Sequence, residues 1–204
     1  MIRILVASTN PGKLKELHEM LGGDIEWIGL SDFPNVGEIE EDGQTFAENA
    51  RKKATGYAKA TGLWTLADDS GLVIDALGGQ PGVKSARFSG AKDKDRKIVD
   101  RKNFEKVLRL LKDVPKEKRR ARFVCHLCLA SPEKGLVETE GKLEGVIAYE
   151  PVGENGFGYD PIFFVPTLNK TVAQLDSDEK NAISHRGNAI RKLKPLLTNL
   201  IKDY

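Results

Sequence analysis

Cysteine is nearly missing: Cys125 and Cys128 are the two thiols in 204 residues. So few cannot build a disulfide framework, and their scarcity suits a reducing cytosol. Long apolar runs are missing too, since none approaches the roughly 18 residues that span a bilayer. The chain enters Ile2-Arg3-Ile4-Leu5-Val6 directly, without signal-peptide architecture. Neither sign of charge dominates: 32 Lys and Arg stand against 30 Asp and Glu, a net charge of +2. That balance gives no case for a nucleic-acid-coating protein, while local clusters of cations remain able to meet a phosphate-bearing small molecule. No G-x-x-x-x-G-K-S/T run occurs, so there is no Walker-type phosphate loop. Without a G-x-S-x-G elbow, the Ser184-His185-Arg186 triplet reads as binding rather than as covalent catalysis. Repeats and low-complexity segments are absent. With 40% hydrophobic and 30% charged residues, the composition predicts a soluble, globular, cytoplasmic chain of one large or two small domains.

What is present centres on Ala67-Asp68-Asp69-Ser70-Gly71-Leu72, two adjacent carboxylates and a glycine between apolar, strand-like runs. Neighbours on a strand point to opposite faces, so a regular strand aims one of these aspartates at any given site. Gly71 permits a bend that brings Ser70 and a carboxylate to one mouth. Magnesium takes one or two carboxylates together with substrate phosphates, which fits such a pair. The plain alternative is an Asp-Ser-Gly turn whose side chains bond only the backbone.

Residues 2–7 read as a buried strand, followed by a helix with Asn10 as N-cap and Pro11 in first position. Leu14, Leu17 and Leu21 form its packing stripe, and Gly22-Gly23 ends it. Ser8, Thr9 and Asn10 thus stand at a helix N-terminus, where unpaired N–H groups favour anions. Lys13 in the first turn opposes the macrodipole at a cost of about 0.3–1 kcal/mol, unless a phosphate reverses the sign. Residues 31–44 form an acidic loop ending in the capping-box pattern Thr45-Phe46-Ala47-Glu48. In the helix that follows, Phe46, Ala50, Lys53 and Tyr57 fall within about 60° of one another. Lys53 therefore either snorkels to a rim or meets an anion in a cleft.

Further on, Asp75 to Gly82 is a glycine-rich turn, and residues 93–113 are helical with Ile98, Phe104, Val107, Leu108 and Leu111 as the buried face. Pro115 to Arg122 reads as a basic surface connection. Ala121 to Ala130 is a strand on which Cys125 and Cys128 face opposite ways, as core residues rather than a metal pair. Leu136 to Ala148 has strand composition interrupted at Gly141 and Gly145, a hairpin or a bulge. Three glycines around Phe157 leave a ring able to stack on a base, or to anchor a turn. The strand Ile162 to Val165 and a β-friendly stretch over 171–175 follow. Helix begins near Asp178, with Lys180, Ser184, His185 and Arg186 approaching a break at Gly187. Pro195 kinks or divides the last helix.

Six of these stretches, in order and at compatible spacing, resemble the inosine triphosphatase-like family of noncanonical purine nucleoside triphosphate pyrophosphatases. They are Ser8 to Lys13, Glu40 to Ala50, Ala67 to Leu72, Pro81 to Arg87, Gly156 to Phe163, and Ser184-His185-Arg186. Gln174 departs from the pattern, where the family often has glutamate. The resemblance implies an elongated α/β fold, with a long twisted mixed sheet and helices forming two lobes around a central cleft. It implies a single domain over residues 1–204 and a homodimer, and the charge balance and lack of long apolar runs predict no nucleic-acid or membrane partner. The implied reaction is magnesium-dependent hydrolysis of inosine, deoxyinosine and xanthosine triphosphates (ITP, dITP, XTP) to monophosphate and pyrophosphate, cleansing the nucleotide pool. Glu40 or Glu41, with Asp69, is expected to hold Mg2+, and Asp69 to orient or deprotonate the attacking water. Ser8, Thr9, Asn10, Pro11 and Gly12, with Lys13 and Lys53, are expected at the phosphates, and Ser70 beside the metal. Phe157, flanked by Gly158 and Tyr159, is expected to stack on the purine. Asp160, Lys180, His185 and Arg186 are expected to read its edge. The competing readings are a pyrophosphatase for other modified nucleotides, and a non-catalytic nucleotide- or RNA-binding protein on the same scaffold. Carboxylates at 41, 68 and 69 oppose the second, since a binder of polyanions gains nothing from them without a metal.

Overall fold

The computed structural model describes residues 2–22 and 25–202; Gly23, half of the expected helix stop, lies outside them. In chain order the elements are β1 (Ile2–Ala7), α1 (Pro11–Leu21), β2 (Ile25–Gly29), α2 (Phe46–Thr61), β3 (Trp64–Ile74) and α3 (Arg96–Leu110). They continue with β4 (Arg120–Ala130), β5 (Gly135–Ile147), β6 (Phe163–Val165), β7 (Lys170–Thr171), α4 (Ser177–Ile183) and α5 (His185–Lys202). Among the described residues one mixed seven-stranded sheet has the order β2-β1-β3-β4-β5-β6-β7. β1 is parallel to β2 and β3, whereas β6 is antiparallel to β5 and β7. No helix among these residues is long and apolar enough to cross a membrane.

The chain divides into two compact units. The first holds residues 1–69, 125–141 and 185–204, and strand alternation gives it two cores. Ile4 and Val6 pack with Leu17 and Leu21 of α1 and with Ile190, Leu193 and Leu197 of α5. Leu5 and Ala7, from the other face of β1, pack with Ala50, Ala54 and Tyr57 of α2. Cys125 and Cys128 fall in different cores, both as buried free thiols. A Leu17→Ala change removes a side chain that is 1% exposed and is expected to cost about 2–5 kcal/mol. The second unit, residues 70–124 and 142–184, has one core: Leu72, Ile74, Phe123, Phe163 and Ile162, covered by Val107 of α3.

Several sequence expectations change here for physical reasons. Ala67 to Leu72 is neither a bend nor a turn, because β3 runs straight through it. Gly71 is required by close approach instead: a Cβ there would lie 2.3 Å from Ser85 Oγ and 2.7 Å from the Gly82 carbonyl. Gly141 and Gly145 do not open a hairpin, since β5 continues past both, and they lie against the backbone of α5 and the ring of Phe163 respectively. Ile98 is 39% exposed, since it stands about 900°, or half a turn out of phase, from Val107. Its place in the buried face is taken by Val99, Asp100 and Asn103. Arg119 is buried rather than superficial, donating from Nε to the Ile147 carbonyl (2.8 Å) and from Nη1 to that of Leu111 (2.6 Å). The stretch 172–174 is a 3₁₀ turn closed by Gln174, whose side chain accepts from the Thr171 N–H. The break after α4 falls at Ser184, and α5 continues through both Gly187 and Pro195. The strand β2 has no counterpart in the sequence expectations.

Candidate active site

In the first unit, α1 begins as its sequence demands. Asn10 Oδ1 accepts from the Gly12 N–H (2.9 Å) and the Lys13 N–H (3.3 Å). The helix start is therefore capped from within, and those two N–H groups are not waiting for an anion. Ser8 and Asn10 are half-buried, Thr9 and Pro11 exposed, and the Ser8 hydroxyl accepts from the Asn10 N–H at 3.2 Å. Lys13, which a bare helix would penalise, reaches the buried Asp68 and forms a close ion pair with it. Asp68 is shared: its Oδ2 accepts from Arg186 Nε at 2.8 Å and from the Cys125 thiol at 3.1 Å. Arg186 is itself buried and also pairs with Glu16 of α1.

The neighbouring aspartate is served from α2. Thr45 Oγ1 caps this helix by accepting from the Glu48 N–H, while Glu48 reaches past the expected partner to the Gln44 N–H (2.7 Å). Asn49, wholly buried, accepts from the Gly43 N–H (2.8 Å) and donates to Asp69 Oδ2 (3.1 Å), so it fixes the acidic loop and the carboxylate together. One turn on, Lys53 does not snorkel. Its Nζ lies 2.7 Å from the Asp68 carbonyl, 3.2 Å from Glu41 Oε1 and 3.9 Å from Asp69 Oδ1. Of the two candidate glutamates, Glu41 is thus turned to this lysine, and Glu40 is exposed.

The two aspartates differ electrostatically. Burial alone would raise Asp68, but Arg186 and Lys13 outweigh it and hold the carboxyl well below its usual range. Asp69 is pushed up to about 6, chiefly by burial, with Lys53 and Lys13 opposing the shift and Glu41 adding to it. One carboxylate is therefore a fixed charge and the other a proton acceptor poised near neutrality. Two carboxylates around an ammonium are too few for an all-protein cage, and no cluster of three or more His, Cys, Asp or Glu that could hold a metal exists among the described residues. They do suit magnesium, which binds through one or two carboxylates and completes its shell with water and phosphate oxygens.

The second unit builds a different surface. Lys180 of α4 donates to Asp160 Oδ2 at 2.6 Å, and its ammonium lies 4.5 Å from the centre of the Phe157 ring. The same Asp160 oxygen accepts from the Phe157 N–H at 2.8 Å. Gly156 and Gly158 adopt φ of 76° and 63°, a region open chiefly to glycine. Tyr159 is buried, its hydroxyl donating to the Ser85 carbonyl at 2.7 Å. Burial, with the Asp100 carboxylate adding to it, raises this phenol well above its usual range.

The expected residues thus fall into two groups. Ser8 to Lys13, Glu41, Lys53, Asp69, His185 and Arg186 belong to the first unit, whereas Ser70, Phe157 to Asp160 and Lys180 belong to the second. His185 and Arg186 open α5 as buried residues, and Arg186 is tied to the acids of its own unit. Sequence reasoning gave no role to Asn49, Glu16 or Asp100, and it offered Asp68 as half of a metal-binding pair, whereas the structure commits that carboxylate to Lys13, Arg186 and Cys125. For Asn49 and Asp100 the signal was present, as polar residues on the buried stripe of an amphipathic helix.

Residues 4–196 match the Ham1 family. The chain is 51% identical over 200 residues to the dITP/XTP pyrophosphatase of Bacillus subtilis, covering 97% of this chain and 98% of that protein. It is 50% identical over 197 residues to the dITP/XTP pyrophosphatase of Bacillus cereus, covering 95% and 94%. Among solved structures, a HAM1 protein from Coxiella burnetii superposes with a TM-score of 0.87 at 45% identity, over 98% of this chain and 100% of that one. With a family match over residues 4–196 and this level of identity, the chain belongs to the Ham1 family.

Proposed function

We propose that the protein hydrolyses noncanonical purine nucleoside triphosphates (ITP, dITP and XTP) to the monophosphate and pyrophosphate. The observation that carries this reading is Asp69, buried, raised to about 6, and set among Lys53, Glu41 and Asn49. Such a carboxylate can orient or deprotonate a water for in-line attack on the α-phosphorus. The new P–O bond forms as the α–β anhydride bond breaks, and pyrophosphate leaves. Lys13 and Lys53 neutralise the polyphosphate, with Ser8 to Gly12 beside it and Ser70 also in contact with substrate. Glu41 and Asp69 would hold Mg2+, which supplies further charge stabilisation at the phosphates. Phe157 stacks on the purine, while Asp160, Lys180, His185 and Arg186 meet its edge. A 6-oxo group accepts from such donors, whereas a 6-amino group leaves them unpaired, and buried mismatches of that kind discriminate strongly.

A single pyrophosphatase domain over residues 1–204 is supported by the chain, which passes from one compact unit to the other four times. Buried free thiols agree with a cytoplasmic enzyme. The resemblance also supports a homodimer, which light scattering would register as twice the 22.5 kDa chain mass. The deciding experiment offers inosine, xanthosine, guanosine and adenosine triphosphates with and without magnesium and identifies the products. Monophosphate with pyrophosphate from the first two, only with magnesium, is the expected result. Orthophosphate with diphosphate means a different bond is cut, and no hydrolysis of any nucleotide leaves a binding protein.

A further inference from the structure

Helix α3 carries two buried polar residues on the face it packs inward: Asp100 is 8% exposed and Asn103 is 1% exposed. Both serve backbone outside the helix. Asn103 accepts from the Ser89 N–H (2.7 Å) and donates to the Ala86 carbonyl (3.2 Å). Asp100 accepts from the Gly158 N–H through Oδ2 (2.9 Å) and from Arg96 Nε through Oδ1 (3.0 Å). Gly158 directly follows the ring proposed to stack on the base.

That loop has little stiffness of its own, because Gly153, Gly156 and Gly158 all have positive φ and glycine loses the most freedom on ordering. Its geometry depends on anchoring bonds: Asn155 donates to the Ala173 and Leu175 carbonyls, and residues 157–159 have one anchor each. The Phe157 N–H is held by Asp160, the Gly158 N–H by Asp100, and the Tyr159 hydroxyl by the Ser85 carbonyl. Asp160 is already engaged by Lys180, and the Ser85 anchor pairs two neutral groups. The bond to Asp100 is charge-assisted and comes from an element that carries none of the proposed substrate groups.

We propose that Asp100 is a positioning residue for the purine subsite, holding the Gly158 backbone so that the Phe157 ring is presented to the base. The proposal rests on the base-stacking reading above and names the group that makes it precise. It requires Asp100 to act on nucleoside recognition and not on phosphate chemistry.

The test measures Asp100→Ala, Asp100→Asn and Phe157→Ala side by side. Asp100→Ala is expected to raise the KM for ITP about tenfold, equivalent to about 1.4 kcal/mol, with kcat within about threefold of the parent. Competition by inosine monophosphate weakens by the same factor, and competition by inorganic pyrophosphate is unchanged. Asp100→Asn keeps an acceptor for the Gly158 N–H and recovers most of the loss. An unchanged KM in Asp100→Ala overturns the proposal, as does an equal loss against pyrophosphate, which signals general loosening. If Phe157→Ala itself leaves KM unaltered, the stacking reading falls as well; if it raises KM while Asp100→Ala does not, the role of Asp100 alone falls. Should Asp100→Ala fail to fold, hydrogen exchange at the Gly158 amide of the parent decides: protection is expected, and exchange at the open-loop rate overturns the proposal.

Discussion

In the first unit Lys13, Lys53 and Arg186 are set among Asp68, Asp69, Glu41 and Glu16; in the second, Lys180 meets Asp160 with the ring of Phe157 beside it. The first group sets three cations against four carboxylates, an excess of negative charge that a divalent cation can take up when a polyanion arrives. The second is a single balanced pair next to an aromatic ring, suited to a flat, polar-edged ligand and not to a highly charged one. On the proposed function, phosphate chemistry falls to the lysines and acids of the first group and base stacking to the second, with His185 and Arg186 of the first unit also at the base edge. The variants below each move one kind of measurement and spare the other.

The largest effect is expected from Asp69→Asn. The amide retains the partner of Asn49 but cannot take a proton, so turnover should fall by about 10²–10⁴-fold while the circular dichroism spectrum stays native. Near-normal pyrophosphate release by this variant would strip Asp69 of its proposed role. Next comes Asp68→Ala, which leaves Arg186 and Lys13 without the carboxylate they share. Breaking a buried pair costs about 3–5 kcal/mol, to be read from urea unfolding; a loss under about 1 kcal/mol would mean that the network carries no structural charge. Smaller, and on the other side of the comparison, Lys180→Met should cut the preference for ITP over ATP about 10- to 100-fold, with kcat for ITP nearly retained. A fall in kcat equal to the fall in kcat/KM would place Lys180 with the chemistry and erase the distinction between the regions.

The first region was the more legible in sequence, because its framework is made of local signals. Asn10-Pro11 starts α1, Thr45 starts α2, and helical phase alone puts Lys53 on the inward face. What the sequence left open there was resolved by long-range pairing: Asp68 takes Lys13, and Glu41 rather than Glu40 takes Lys53. No local rule gives such partners. Glycine misled most. Gly71 suggested a bend, and Gly141 and Gly145 a hairpin or a bulge, yet the strands continue through all three and each glycine is needed for another segment to approach. A close contact from a distant part of the chain leaves the same letter in the sequence as a turn does. Asn49 and Asp100 were visible as polar residues on a buried helical stripe, but their partners were not, since each holds a backbone N–H group that no side-chain pattern reports.

The last expected effect concerns pH and sharpens the contrast inside the first region. In the metal-free protein Asp69 is held up to about 6, first by burial, against a reference value of 3.8. Between these two values the folded chain keeps a proton that the unfolded chain has lost, so the contribution of Asp69 to stability is full below about 4 and is lost as pH rises through about 6. Asp68 runs the other way: its carboxyl is held well below the usual range, and its contribution is present above that range and lost as pH falls. The parent's own pH profile mixes both slopes, and comparison with Asp69→Asn separates them. With a chelator present, the parent should lose stability relative to Asp69→Asn between pH 4.5 and pH 7, by urea unfolding at each pH. Parallel profiles would mean that Asp69 titrates as an exposed aspartate does, and the two adjacent carboxylates could no longer be assigned different tasks.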